Sequence, residues 1–261
     1  MNEVLRSILS DGHVTTADGT TRPLASAISP EEGNFLQQVI RNARPQVSLE
    51  VGCAYGISSL YICAALREVN AAKHIILDPY QHSVWEGLGL ANLTRAGYLD
   101  IIDFHEIPSY QYLSRLAEEH VTIDFAFIDG NHIFDYVFVD LFLIDKLLRP
   151  GGIVILDDLS WPSVRSVCRY VLSNLRYKCI GPQSKDLPRR AAWRKLVSRA
   201  RQGGIRALVR APLRRIFLPD SRLNLPEYLN YAAFQKLADG YWSQDERPIS
   251  SLVTLINVRL N

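Results

Sequence analysis

Four short apolar runs, 47–51 (VSLEV), 74–77 (HIIL), 123–128 (IDFAFI) and 153–156 (IVIL), each stop at a glycine or an acid: Gly52, Asp78, Asp129 and the pair Asp157-Asp158. Helical patterns fill the intervals. Runs this continuous are buried on both faces, and buried strands that alternate with helices form a parallel sheet covered on both sides. The helix signals agree. Ser29-Pro30-Glu31-Glu32 offers a capping serine, a proline at the first helical position and a glutamate placed to close a capping box, followed by Phe35, Val39 and Ile40 on one face. Further along, 100–104 reads as a short strand, 110–119 and 137–148 as helices, 162–174 as a helix and 177–180 as a strand. Arg149-Pro150-Gly151-Gly152 breaks the pattern between the helix and strand on either side of it. After Gly181-Pro182 the alternation stops until 251–260 (SLVTLINVRL), a clear final strand.

Composition narrows the classes. At 261 residues, 48% hydrophobic and 21% charged, the chain suits one large α/β domain and excludes wholesale disorder. No apolar stretch reaches the roughly 20 residues that span a bilayer, because Asp140, Asp145, Asp157 and Asp158 interrupt the longest ones. The first residues do not read as a secretory signal. Cys53, Cys63, Cys168 and Cys179 match neither a disulfide framework nor a zinc pattern, so they read as reduced thiols of a cytoplasmic protein. The net charge of +2 hides an asymmetry: residues 185–222 carry twelve Lys or Arg against two acids, Asp186 and Asp220. The span 184–249 reads as a basic helical insertion before the last strand, with 1–183 and 250–261 as the core. It suits a lid over an acceptor pocket, a surface for anionic membrane or an acidic partner, or an oligomer contact such as a homodimer. Nucleic acid is disfavoured, because the aromatic-basic interleaving of RNA modules is missing.

Two segments carry chemistry. The first, 49–59, runs from a strand through Gly52-Cys53-Ala54-Tyr55-Gly56 into a helix beginning near Ser58, a turn that lets backbone approach a ligand and aims a helix N-terminus at an anionic group. It serves equally as a tight strand-to-helix turn. Asp78, 26 residues after Gly52, falls beside that loop in a doubly wound sheet and suits two ribose hydroxyls. Ala54 breaks the Gly-x-Gly-x-x-Gly spacing of dinucleotide sites, and Glu50 would repel a pyrophosphate. A phosphate-free sulfonium donor, S-adenosylmethionine, fits better than NAD. The second segment is Asp129-Gly130-Asn131-His132 with Asp157-Asp158. One strand–helix–strand crossover separates the two acids, which places their strand ends on one edge. Three crowded carboxylates repel one another, and a hard divalent cation relieves that. The same acids also suit capping of the helix near Pro162 and a turn at Gly130, and His132 suits a backbone-bonded turn position.

These segments resemble class I S-adenosylmethionine-dependent methyltransferases, in particular the metal-dependent O-methyltransferases typified by catechol O-methyltransferase and a broad bacterial group acting on small molecules and sugars. The residues that carry the resemblance are Glu50, Gly52, Gly56 and Ser58 of the loop, Pro108-Ser109 before a helix, and Leu147 to Gly152. It implies a seven-stranded, mostly parallel Rossmann-like sheet with an antiparallel last strand. It also implies a cofactor site at Glu50, Gly52, Ala54, Tyr55, Gly56, Ser58, Asp78, Ser109 and Asp129, with Tyr110 near the adenine edge, and Mg²⁺ or a similar ion on Asp129, Asp157 and Asp158. The catechol enzyme has Asp-Asn where this chain has Asp157-Asp158. His132 takes the place of that family's lysine base, so His132 and Asp129 are the expected catalytic residues. The implied reaction is O-methylation of a sugar or polyphenolic acceptor, whose pocket Trp85 and Trp161 would line. The alternatives are a metal-independent methyltransferase and a non-catalytic scaffold that keeps the cofactor.

Overall fold

The computed structural model describes residues 2–16, 19–70, 73–182, 223–226 and 229–243. A helix α1 (Glu3–Asp11) and a two-stranded hairpin, β1 (His13–Thr15) and β2 (Thr21–Pro23), precede the main layer. Then come α2 (Pro30–Ala43), β3 (Val47–Val51), α3 (Ile57–Glu68), β4 (Lys73–Leu77), α4 (Leu88–Arg95), β5 (Ile102–His105), α5 (Ser109–Glu118), β6 (Ile123–Ile128), α6 (Phe134–Leu147), β7 (Leu148–Leu156), α7 (Pro162–Asn174), β8 (Leu175–Gly181) and β9 (Ala232–Tyr241). The seven strands β3 to β9 lie in the order β5-β4-β3-β6-β7-β9-β8, with β9 antiparallel to both of its neighbours and the others parallel along the β5-to-β7 run. The doubly wound sheet expected from the alternation of strands and helices is therefore present.

Side-chain alternation along the central strands feeds two cores. On β6, Phe125 and Phe127 face the side packed by α1 to α4, while Ile123, Ala126 and Ile128 face α5 to α7. Ile153 and Ile155 of β7 join the first side, Val154 and Leu156 the second. Two hydrophobic layers closed around one sheet explain why its strands carry so few polar residues. Chain order reverses at β3, which sends β4 and β5 one way and receives β6 on the other side, so the crevice at the carboxyl ends of β3 and β6 is the topological switch point.

One boundary needs correction. The antiparallel strand is Ala232–Tyr241, inside the span expected as a helical insertion, and 251–260 lies outside the described residues, as does the basic block 185–222. The strand escaped notice because its apolar run is short and carries a lysine. Lys236 is 2% exposed, and its ammonium donates to the carbonyls of Asp145 (2.6 Å) and Leu148 (2.8 Å) and pairs with Asp239 (2.7 Å). A buried charge so fully partnered closes the C-terminus of α6. Among the described residues no helix is long and apolar enough to cross a membrane.

Candidate active site

Four residues sit one step past their strands, and the amide of each donates the next rung of the ladder. The amide of Gly52 donates to the carbonyl of Leu77 (2.9 Å), that of Asp78 to His105 (3.2 Å), that of Asp129 to Val51 (2.9 Å) and that of Asp157 to Ile128 (3.0 Å). The loops after β3, β4, β6 and β7 therefore start level with one another at a single edge. At the centre they touch. Gly52 has φ +94°, and a Cβ there would stand 2.1 Å from the carbonyl oxygen of Asp129. Only glycine lets the end of β3 pass the end of β6.

Glu50 and Ser58 lie beneath the loop rather than on its open side. Glu50 is fully buried; it accepts hydrogen bonds from the hydroxyls of Ser58 (2.5 Å) and Ser59 (2.6 Å) and contacts His74 Nε2 at 3.1 Å. Both its oxygens are occupied, so it anchors α3 to β3 and β4. Ser109 is likewise turned inward, donating to Asp140 Oδ1 (2.5 Å) and tying α5 to α6. Burial raises the Asp140 carboxyl to about 6 despite that bond. Asp78 stands where the sequence placed it, with Oδ2 accepting from the amides of Cys53 (3.0 Å) and Ala54 (2.9 Å) and Oδ1 from Tyr80 (2.9 Å). The outer side of the loop is held from 81–92: Gln81 donates to the Ala54 carbonyl (3.0 Å) and Asn92 to that of Tyr55 (2.9 Å), while the Tyr55 ring meets Trp85 edge-on at 5.1 Å. Gly56 leads into α3 in the left-handed region without a side-chain cap.

On the other side of Gly52 the acids gather. Asp129, His132 and Asp158 each offer a ligand atom, and these atoms all lie within 4.8 Å of one another. His132 Nε2 is 2.5 Å from Asp158 Oδ2 and 3.9 Å from Asp129 Oδ1, yet it makes no aligned hydrogen bond. Contact with the Asp129 and Asp158 carboxylates pushes the imidazole up to about 10, and the same contact holds Asp158 below its ordinary value. Burial, and then the neighbouring Asp157 and Asp158, raise Asp129 to about 7 against the opposing effect of His132. Asp157, expected with the other two, is not one of these three. Its Oδ1 accepts from the Asp158 amide (2.6 Å) and from Asn230 Nδ2 (3.1 Å), and its other side meets Glu32.

Glu32 and Asn230 were not found by spacing. Glu32 follows the cap as expected, its amide donating to Ser29 Oγ (3.2 Å), but its side chain runs into the site instead of closing the box. It is 3% exposed, and burial beside Asp157 raises it to about 10, so it is protonated. A signal existed: Glu32 shares the buried stripe of α2 with Leu36 and Ile40. Asn230, just before β9, bridges Asp157 Oδ1 and Asp158 Oδ1 (2.9 Å), and it belonged to a span read as insertion.

Residues 49–159 match the family described as a methyltransferase domain. The chain is 33% identical over 138 residues to caffeoyl-CoA O-methyltransferase 2 of Zea mays, covering 51% of this chain and 49% of that protein. It is 31% identical over 136 residues to caffeoyl-CoA O-methyltransferase 1 of Arabidopsis thaliana, covering 51% and 50%. The chain thus spans about half the length of the curated relatives it matches. The O-methyltransferase from Bacillus cereus, solved in complex with SAH, shares the fold with a TM-score of 0.57 at 19% identity, covering 70% of this chain and 85% of that one. Sequence match and sheet order agree over the same stretch: residues 49–159, which match the methyltransferase-domain family, carry the glycine turn at the switch point, and the sheet around them has the fold of the solved O-methyltransferase.

Proposed function

We propose that the chain transfers a methyl group from S-adenosylmethionine to a hydroxyl of a small phenolic or sugar-like acceptor, with a divalent cation held at the acid cluster. The observation that supports this most is the double position of Asp129. Its backbone is pressed against Gly52 of the cofactor loop, while its carboxylate converges with Asp158 and His132. A cation and a methyl donor held by those two groups would be neighbours. The donor set suits such an ion: one ligand atom from each of two carboxylates and a ring nitrogen lie within 4.8 Å of one another.

A bound divalent cation supplies Lewis acidity that lowers the pKa of an acceptor hydroxyl, as the sulfonium supplies the methyl group. The protein's part is positional. Asp129 and Asp158 hold the charge, and Asn230 fixes Asp158 through a bond that also ties down Asp157. Glu32 keeps a proton against Asp157, which limits the negative charge the crevice must bear. The turn 52–56, with Asp78 braced against its amides, holds the adenosyl end, and the uncapped start of α3 faces a carboxylate. Trp161 is 53% exposed and stacks on His132 at 5.6 Å, bordering the acceptor side. Fixing two reactants in line accounts for much of the rate.

One feature favours a metal-independent variant of the reaction: a protonated His132 can neutralise Asp158 without an ion. Transfer of labelled methyl to a catechol-type acceptor separates the two. Loss of transfer in chelator, restored by added Mn²⁺ or Mg²⁺, supports the metal. Full activity in chelator removes it, and failure to bind S-adenosylhomocysteine would overturn the proposal altogether.

A further inference from the structure

We infer that His132 is itself a ligand of the cation, so that the site is a two-carboxylate, one-imidazole centre selective for first-row transition ions over Mg²⁺. This rests on the metal reading above and specifies its chemistry. The geometry that points to it is a substitution of partners. Asp157, the third acid expected, is occupied on both sides by Asn230, its own loop and Glu32. The third atom facing Asp129 and Asp158 is His132 Nε2, out of contact with solvent and 2.5 Å from Asp158 Oδ2. Behind the cluster, Glu32 adds a second such atom: it is 3% exposed and its Oε1 has no partner.

The ring is also held in place from several directions. The carbonyl of His132 accepts a bond from Ser163 Oγ (2.5 Å), the preceding Asn131 Oδ1 accepts from the Ile133 amide (2.9 Å), and the imidazole stacks on Trp161 with 15° between the planes. On the facing loop Asp158 sits at φ +57°, steadied by Asn230. A nitrogen donor fixed this way is preorganised for a metal, and supporting contacts of this kind tune affinity. Mg²⁺ prefers oxygen ligands and keeps its waters, whereas imidazole favours Fe²⁺, Co²⁺, Ni²⁺ and Zn²⁺. Three protein ligands leave open positions where two acceptor oxygens would fit.

The test uses the full chain freed of metal, titrated by calorimetry with Mg²⁺, Mn²⁺ and Co²⁺ in wild type and His132→Gln. In parallel, electron spin-echo spectroscopy of the Mn²⁺-loaded wild type looks for directly bound nitrogen. The expected result is a ¹⁴N coupling in wild type that His132→Gln abolishes. The variant should lose Co²⁺ affinity by about tenfold or more while Mg²⁺ affinity changes little. Retained Mg²⁺ binding shows that the variant's site is intact, and the nitrogen coupling is read on wild type should the variant fail to fold. Ion binding without nitrogen coupling, or an unchanged Co²⁺-to-Mg²⁺ ratio in the variant, overturns the imidazole ligand and leaves the metal reading standing. No binding of any of the three ions to wild type overturns both.

Discussion

Gly52→Ala tests the contact that joins the two halves of the site. Gly97→Ala is its control: Gly97 has φ +77°, and a Cβ there meets nothing within 4 Å. Both substitutions force alanine into positive φ, at a cost of roughly 1–2 kcal/mol. Gly97→Ala should stop there. Gly52→Ala also drives a methyl group to 2.1 Å from the Asp129 carbonyl oxygen and 2.8 Å from its carbon, so the peptide must retreat by more than an ångström. That peptide is tied to β3 by the Asp129-to-Val51 bond. Overpacking of this kind adds about 1–3 kcal/mol, for a total of roughly 2–5 kcal/mol. Thermal unfolding of a chain this size converts those figures to a fall of about 4–20 °C for Gly52→Ala, roughly twice the fall of about 2–8 °C for Gly97→Ala. The displaced peptide carries the Asp129 carboxylate with it, so Gly52→Ala should weaken S-adenosylhomocysteine and Mn²⁺ binding together, and Gly97→Ala neither. If the two variants melt alike, or Gly52→Ala keeps both affinities, the strand ends do not meet as described.

Two further outcomes follow from the same contacts. Asn230→Ala removes both amide bonds that steady Asp157 and Asp158, and should lower Mn²⁺ affinity by about 10- to 100-fold in calorimetry while the melting temperature changes modestly. Asp140 gives a pH signature outside the acid cluster. Its carboxyl is raised from 3.8 to about 6 when folded, so the folded state binds the extra proton between those values. Stability is therefore greatest below pH 3.8 on this group's account, falls as pH climbs to about 6, and is then flat, a loss of about 3 kcal/mol. Asp140→Asn keeps an acceptor for Ser109 and removes the charge. It should raise urea stability at pH 7 by up to that amount and gain little at pH 4, and equal gains at both pH values would exclude a titrating Asp140.

Local pattern revealed the fold because the strands announce themselves locally: an apolar run, a glycine or acid to end it, a capped helix next. Gly52, Asp78, Asp129 and Asp157 were legible in position for the same reason, since a residue one step past a buried parallel strand stands at the carboxyl edge of the sheet. What stayed hidden is what satisfies those residues. Glu50 reads as a ligand from its spacing, yet the hydroxyls of Ser58 and Ser59 lie against it only once α3 has packed. Glu32 reads as a cap, and its burial beside Asp157 depends on α2 crossing the sheet edge. Lys236 argues against a strand until the open carbonyls at the end of α6 are there to receive it. In each case a polar group is tolerable inside only with partners far away in the chain, so its partners, and hence its role, exist at the tertiary level alone. The same logic separates Asp157 from Asp158. They are adjacent and chemically identical and both accept from Asn230, more than seventy residues on; it is Glu32 on α2 that occupies Asp157, while Asp158 faces His132.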